Sequence, residues 1–443
     1  MTRNRLTDRY LAEVRLEPDE LTRFVRQRRD LIHTIYRGRH LTRPAFLTRA
    51  ERERLTEDLT NLHSALAALP ERRFGGDVAA FARALGMTEQ QAAMAARGAG
   101  RPVSRLTRAD IYHDGSDFRL MELNLGSPVG GQDNAILNEL FLEHPAVAEF
   151  VKANSLSYVD TMAAGVATFR AECGLEPDQP VFMAAVDEPS SYAQIDWMLH
   201  AAAAELARYG IEAVACHLGQ LRVHGGRVWY EDRPVDLLYR IFLLADVADP
   251  ACAALIDPLL RAAERGEVAL FSPIDTDLYM NKATLAMLSD EAYRDQLTPA
   301  ERTSLDRLLP WTRMVRDEPV TVGGERVGLL DYALDQRRQL VLKPASLASG
   351  MGVVLGWEVD DAQWRARLTE ALDGPYVLQQ RLVGEPEPFP ATDRPGTVPW
   401  LLRWGVYTAH DGYAGSIVVG STDLSGGVLN IGGGATGGCV FHE

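Results

Sequence analysis

The chain has 443 residues, 46% hydrophobic and 24% charged, with a formal charge of −15. That length predicts two or three domains around a substantial core, while the acidic balance excludes a basic nucleic-acid groove as the main surface. No apolar run reaches the length of a membrane span, no apolar leader stands at the start, and the four cysteines are scattered without CxxC spacing, so free thiols in a cytoplasmic protein are expected.

Residues 1–104 read as a helical, arginine-rich region. Phe24, Leu31, Ile32 and Ile35 fall at helical spacing, and further helices fit Arg49–Ala68 and Asp77–Ala96, with breaks at Pro70 and Gly75-Gly76. A β-hairpin follows, from Arg108 through the Asp114-Gly115 turn signal to Asn124. A three-residue loop, Asp114–Ser116, would set Asp110 opposite Leu120 and Arg108 opposite Glu122. That register places Arg108, Asp110, Glu122 and Asn124 on one face, and it is the one expected here.

From 178 to 272 strands and helices alternate: Val181–Val186, Tyr192–Tyr209, Ile211–His217, a Gly225-Gly226 hairpin, Val235–Phe242, Ala253–Arg265 and Ala269–Phe271. This rhythm implies a small parallel sheet. Beyond Lys282 the pattern becomes α+β. It comprises a helix over Ala283–Ala292, strands ending at Lys343 and spanning Met351–Trp357, a helix over Asp360–Leu372, and strands Tyr376–Leu382, Leu401–Ala409 and Tyr413–Gly420. The closing Gly432–Gly438 run reads either as a floppy tail or as a loop that closes over a site.

Only three of the 46 basic residues are lysines: Lys152, Lys282 and Lys343. Lys152 reads as solvated. Lys282 opens a short apolar helix, and Lys343 ends an apolar strand before a loop containing Ser346, Ser349, Gly350 and Gly352. Both positions suit a compact ammonium aimed at phosphate, and small loop residues free backbone N–H groups for phosphate oxygens. An exposed lysine at an ordinary turn is the plainer alternative.

Glu122 and Asn124, two apart on a strand, offer oxygens to a shared Mg²⁺, with Asp110 as a third ligand in the right register; polar surface at a strand end is the competing reading. Gln379 or Gln380 would read an adenine edge with its amide, or mark a strand that simply turns polar. Arg403 sits among apolar neighbours and needs an anion, a carboxylate or a phosphate. Arg240 poses the same question, with a substrate carboxylate as its expected partner.

In this order the motifs resemble the circularly permuted ATP-grasp family, specifically the glutathionylspermidine synthetase-like carboxylate–amine ligases. Arg108-x-Asp110 is followed twelve residues later by Glu122-x-Asn124, and Lys343-Pro by Ser346 through Gly352. The Glu-x-Asn precedes the nucleotide lysines, whereas ordinary members have it after them. The likeness spans roughly 105–443; the first hundred residues match nothing in it, no amidase region precedes it, and no lysine follows Lys343.

The resemblance implies an α/β (α+β) circularly permuted ATP-grasp fold. Its expected parts are a helical region (1–104), a metal-binding hairpin with helices (105–177), a βαβ pre-ATP-grasp domain (178–275) and the nucleotide-binding subdomains (276–443). It implies Asp110, Glu122 and Asn124 as Mg²⁺ ligands, and Lys282 and Lys343 on the ATP phosphates. Gln379 or Gln380 would take the adenine, Arg403 the γ-phosphate or acyl phosphate, and Arg108 would steady the transferred group. The implied activity is an ATP-dependent, ADP-forming ligase that joins a carboxylate and an amine, small molecules or peptides, in small-peptide or peptide-like natural product assembly. A nucleotide-binding scaffold and a small-molecule kinase are the alternatives. The helical region leaves two roles open, shaping the acceptor site or pairing two copies as a homodimer. No nucleic-acid or membrane partner is expected.

Overall fold

The computed structural model describes residues 5–17, 19–27, 36, 38–347 and 350–443. Leu31, Ile32, Ile35 and Ser349 lie outside the described residues. Phe24 lies on the helix Glu20–Arg26 and meets the His144 ring edge-on at 4.9 Å.

Three of the five sheets formed by the described residues organise the chain. The largest has seven strands, in the order Ala45–Leu47, Thr436–His442, Gly412–Ser421, Thr397–Ala409, Thr107–His113 and Phe118–Leu125, with Glu387–Pro390 also paired to Thr397–Ala409. Its first pair is parallel and the rest are antiparallel. The end of the glycine-rich run, residues 436–438, is therefore part of a strand within this sheet, preceded by a turn over 431–434. A second sheet is wholly parallel, in the order Ala269–Phe271, Leu237–Arg240, Val181–Asp187, Ile211–His217, as the alternation of elements implies. The third is antiparallel, in the order Thr312–Met314, Tyr376–Gln380, Leu340–Pro344, Val354–Leu355.

The hairpin differs from its expected form. Its loop has four residues, Asp114–Asp117, closed by the Asp114 amide donating to the Asp117 carbonyl at 3.0 Å, and its ladder shifts by one residue between Asp110 and Ile111. Met121 is the extra residue, a β-bulge. The cause is visible in the side chains. Leu120 and Leu123 are three apart, so a regular strand cannot bury both on one face, yet both are buried with Ala109, Ile111 and Leu125. The bulge lets both face the core, and it turns Glu122 opposite Asp110 and Asn124 opposite Arg108. The four polar groups share a face as expected, in a different register.

Other elements also depart from expectation. The helix Arg49–Phe74 runs through Pro70 and stops at Gly75, whose φ of 58° is left-handed; buried Leu66, Leu69 and Pro70 hold its last turns. The next stretch forms two helices, Val78–Ala84 and Glu89–Ala95, because Gly86 turns left-handed at φ +87° and Thr88 starts a new capping box with Gln91. The helix at Lys282 ends at Leu288, and the strand expected over Met351–Trp357 shortens to Val354–Leu355. The N-terminal region is not purely helical, since Ala45–Leu47 adds an edge strand to the large sheet. Among the described residues no helix is long and apolar enough to cross a membrane.

Candidate active site

The polar face of the hairpin, the end of the Lys343 strand and the start of the Lys282 helix meet around one cavity of about 450 Å³. Lys282 is placed by its helix N-terminus, where Asn281 accepts from the Ala283 amide and the Lys282 amide donates to the Ala345 carbonyl at 2.8 Å. Its ammonium lies 3.4 Å from Glu122 Oε2 and donates to the Leu347 carbonyl at 2.8 Å. Lys343 projects from the end of a fully buried strand and donates to Gln379 Oε1 at 2.6 Å and, at 3.4 Å, to the Met121 carbonyl exposed by the bulge. The contact with Met121 joins the antiparallel four-stranded sheet to the hairpin directly.

Asp110 is 1% exposed and bracketed by two guanidiniums. Arg108 Nε lies 3.1 Å from Oδ1, and Arg403 Nη1 lies 2.6 Å from Oδ2. Burial opposes the Asp110 carboxylate, but Arg108 and Arg403 more than offset it and hold the carboxyl below its ordinary range. Arg403 keeps a buried Nε without a hydrogen-bond partner. Around Lys343, burial pushes the ammonium down to about 8, with Glu122 acting to raise it and Lys282 to lower it.

Of the expected site residues, all but Ser349 fall within the described residues. Arg108, Asp110, Glu122, Asn124, Lys282, Lys343, Ser346, Gly350, Gln379, Gln380 and Arg403 all line this cavity. Gln379 is buried against Lys343, whereas Gln380 is exposed. Gly352 is not on the wall; with φ +70° it turns the loop, and a Cβ there would meet Pro344 at 2.8 Å. Arg240 is a correction. It is 1% exposed and bonded to Asp277 Oδ1 at 2.8 Å, Ser272 Oγ at 3.1 Å and the carbonyls of Ser272, Phe242 and Pro273, so it is an interior tie and not a substrate contact.

The hairpin face carries oxygen donors of the type a hard cation takes, with both Asp110 oxygens also paired to arginines. Mg²⁺ takes one or two carboxylates plus substrate oxygens, and Asp110, Glu122 and Asn124 supply oxygen donors on one face. Among the described residues no group of three or more His, Cys, Asp or Glu could hold a metal ion.

No family model and no curated protein matches the chain. Solved structures do. A glutathione synthetase like-effector from Globodera pallida, in apo form, aligns with a TM-score of 0.59 at 11% identity, covering 97% of this chain and 99% of that one. The two share a fold. It is an α+β architecture of mixed sheets and helices. Two further similarities are lower. A putative γ-glutamylcysteine synthetase from Methylobacillus flagellatus aligns at TM-score 0.44, with 13% identity over 90% of this chain and 89% of that one. The D-cycloserine synthetase DcsG aligns at TM-score 0.28, with 13% identity over 52% and 71%.

Three parts of the cavity wall escaped the sequence reading. Leu85, Gly86 and Met87 come from the helical N-terminal region, at the break between two helices. Leu243, Leu244 and Ala245 follow the strand bearing Arg240. Gly426 through Asn430 come from the segment before the last strand. That segment touches the loop after Lys343: a Cβ on Gly350 would lie 2.8 Å from Val428 Cγ1. Arg381 ties the same region together, donating to the Ser425 carbonyl at 2.8 Å while stacking 4.0 Å from the Trp357 ring. The glycines of 426–427 were the one available signal.

Proposed function

We propose that the chain is an ATP-dependent ligase that activates a carboxylate as an acyl phosphate and joins it to an amine, on a circularly permuted ATP-grasp fold divided near residues 104, 177 and 275. The supporting observation is charge. Four cations, Arg108, Lys282, Lys343 and Arg403, share one cavity with two carboxylates, Asp110 and Glu122; Asp277, also on the wall, is already paired with Arg240. In a protein of net charge −15, that local surplus calls for an anionic ligand. A triphosphate accompanied by one divalent cation carries about two negative charges and would balance it.

In this reading Lys282 and Lys343 bind the phosphates, Gln379 or the exposed Gln380 takes the adenine edge, and the loop with Ser346, Ser349, Gly350 and Gly352 wraps the phosphate oxygens. Asp110, Glu122 and Asn124 hold Mg²⁺, which when bound supplies charge neutralisation between phosphates. A carboxylate oxygen of the donor attacks the γ-phosphorus and ADP leaves with the bonding pair. The amine then attacks the acyl carbon, phosphate departs and the amine loses a proton. Arg403 stabilises the transferred phosphoryl oxygens, and Arg108 orients Asp110 and the loop at Val129, whose carbonyl it holds at 2.7 Å.

The test is incubation with ATP, Mg²⁺ and pools of amino acids and polyamines, following ADP and amide together. Equimolar ADP and amide are expected. ADP with a stable phosphorylated product would make the protein a kinase, and bound but unconsumed ATP a scaffold.

A further inference from the structure

A second cavity, of about 260 Å³, lies beside the first, and Pro128 forms part of both walls. It sits on the parallel sheet. The strand Val181–Asp187 is followed outward on one side by Ile211–His217, and the chain then returns to place Leu237–Arg240 on its other side. The join between Val181–Asp187 and Leu237–Arg240 is therefore a topological switch point, where sheets of this kind bind ligands. Ala185 and Tyr239, register partners across that join, both line the cavity.

Its chemistry is the reverse of the first cavity's. Among the described residues no Asp, Glu, Lys, Arg or His lines it. Its hydroxyls are engaged by the protein: Tyr239 donates to the Ser127 carbonyl at 3.2 Å, Thr161 to the Ala414 carbonyl at 2.7 Å, and Ser127 to the Arg240 carbonyl. Gln132 adds a side-chain amide to the wall, but no protein charge faces the space to offset the desolvation of a charged ligand group. Met162, Met183 and Met198 supply an adaptable apolar wall.

Gly165 keeps the space open. It lies inside the helix Thr161–Glu172, where glycine is less favourable than alanine. A Cβ there would meet nothing nearer than the Leu106 methyls at 4.0 Å. The volume falls below the roughly 300–1,000 Å³ of sites that take a whole ligand, so this cavity holds part of one.

We infer that this cavity is a side-chain pocket adjoining the reaction cleft, and that one of the two joined molecules carries an uncharged apolar group, of leucine or phenylalanine type, buried there. Its reacting carboxylate or amine then lies past Pro128, in the cleft. The ligase reading supplies the reaction; the pocket and its preference stand on the walls alone.

The experiment is calorimetric titration of the full chain with L-leucine, L-phenylalanine, indole, L-aspartate and L-lysine, on wild type and two filled-pocket variants, Ala203→Phe and Gly165→Leu. These fill the cavity from different helices, so one folded variant suffices, checked by circular dichroism and thermal melting. At least one apolar probe should bind, at least ten-fold more weakly in the filled variant, and the charged probes should not. Binding by none of the apolar probes, or equal binding to wild type and a folded filled variant, overturns the inference. The ligase reading is scored separately by ADP release. Apolar binding without ATP consumption would sink the reaction and keep the pocket. ADP release with charged substrates and no apolar binding would do the opposite.

Discussion

Lys343 carries the sharpest consequences of any single residue. Lys343→Ala and Glu122→Ala each remove one group from the charge cluster and should lower the rate of ADP formation about 10²–10³-fold, or about 3–4 kcal/mol of transition-state stabilisation. Steady-state kinetics on variants with wild-type circular dichroism would check this. Lys343→Arg should not restore full activity, because a planar fork cannot replace a point charge seated against Gln379. The buried ammonium also sets a pH dependence. Its folded value, about 8, lies below the ordinary lysine value of 10.5, so the unfolded chain binds more protons between those limits and this group's contribution to stability rises with pH there. Anion binding needs the charged form. Nucleotide affinity should therefore fall as pH passes through about 8, and Lys343→Met should flatten that step in a fluorescence titration. At this scale the sequence was readable wherever a residue type was rare, as with lysine. It misled at Arg240, because an arginine flanked by apolar residues looks alike whether its anion is a substrate or an internal Asp277.

Elements follow the spacing of their apolar side chains, and the hairpin shows what that rule can and cannot give. The convergence of Arg108, Asp110, Glu122 and Asn124 on one face was readable from alternation, but the loop length was not. Turn signals fix where a hairpin reverses, while the Leu120–Leu123 spacing that demands a bulge acts only once a core is present to bury both. The parallel sheet was more accessible, since alternating strands and helices admit few arrangements. The last strand was hidden by its composition: glycine-rich segments read as loops unless something packs against the bare backbone. Here Tyr36 does, with its ring carbons 2.1 Å from where a Gly437 Cβ would stand. Gly437→Ala should therefore destabilise the protein by about 1–3 kcal/mol, read as a lowered urea midpoint.

At the scale of the molecule, the cavity joins pieces that no local pattern connects. Its walls come from the helical N-terminal region, the hairpin, the antiparallel sheet that bears Lys343 and the segment before the final strand. A ligand that bridges them all should stabilise the folded chain by mass action, about 2.7 kcal/mol at a hundred times its dissociation constant. Thermal melts with ATP and Mg²⁺ should show an upward shift that Lys343→Ala removes. The large sheet has one more consequence, for biosynthesis. Thr107–His113 pairs with Thr397–Ala409, its partner almost three hundred residues downstream. While the ribosome makes the intervening stretch, the hairpin's edge waits unzipped, with bare amides and carbonyls that invite mispairing. Chains stalled before residue 397 should thus recruit chaperones, and release from them should coincide with translation of the closing strands.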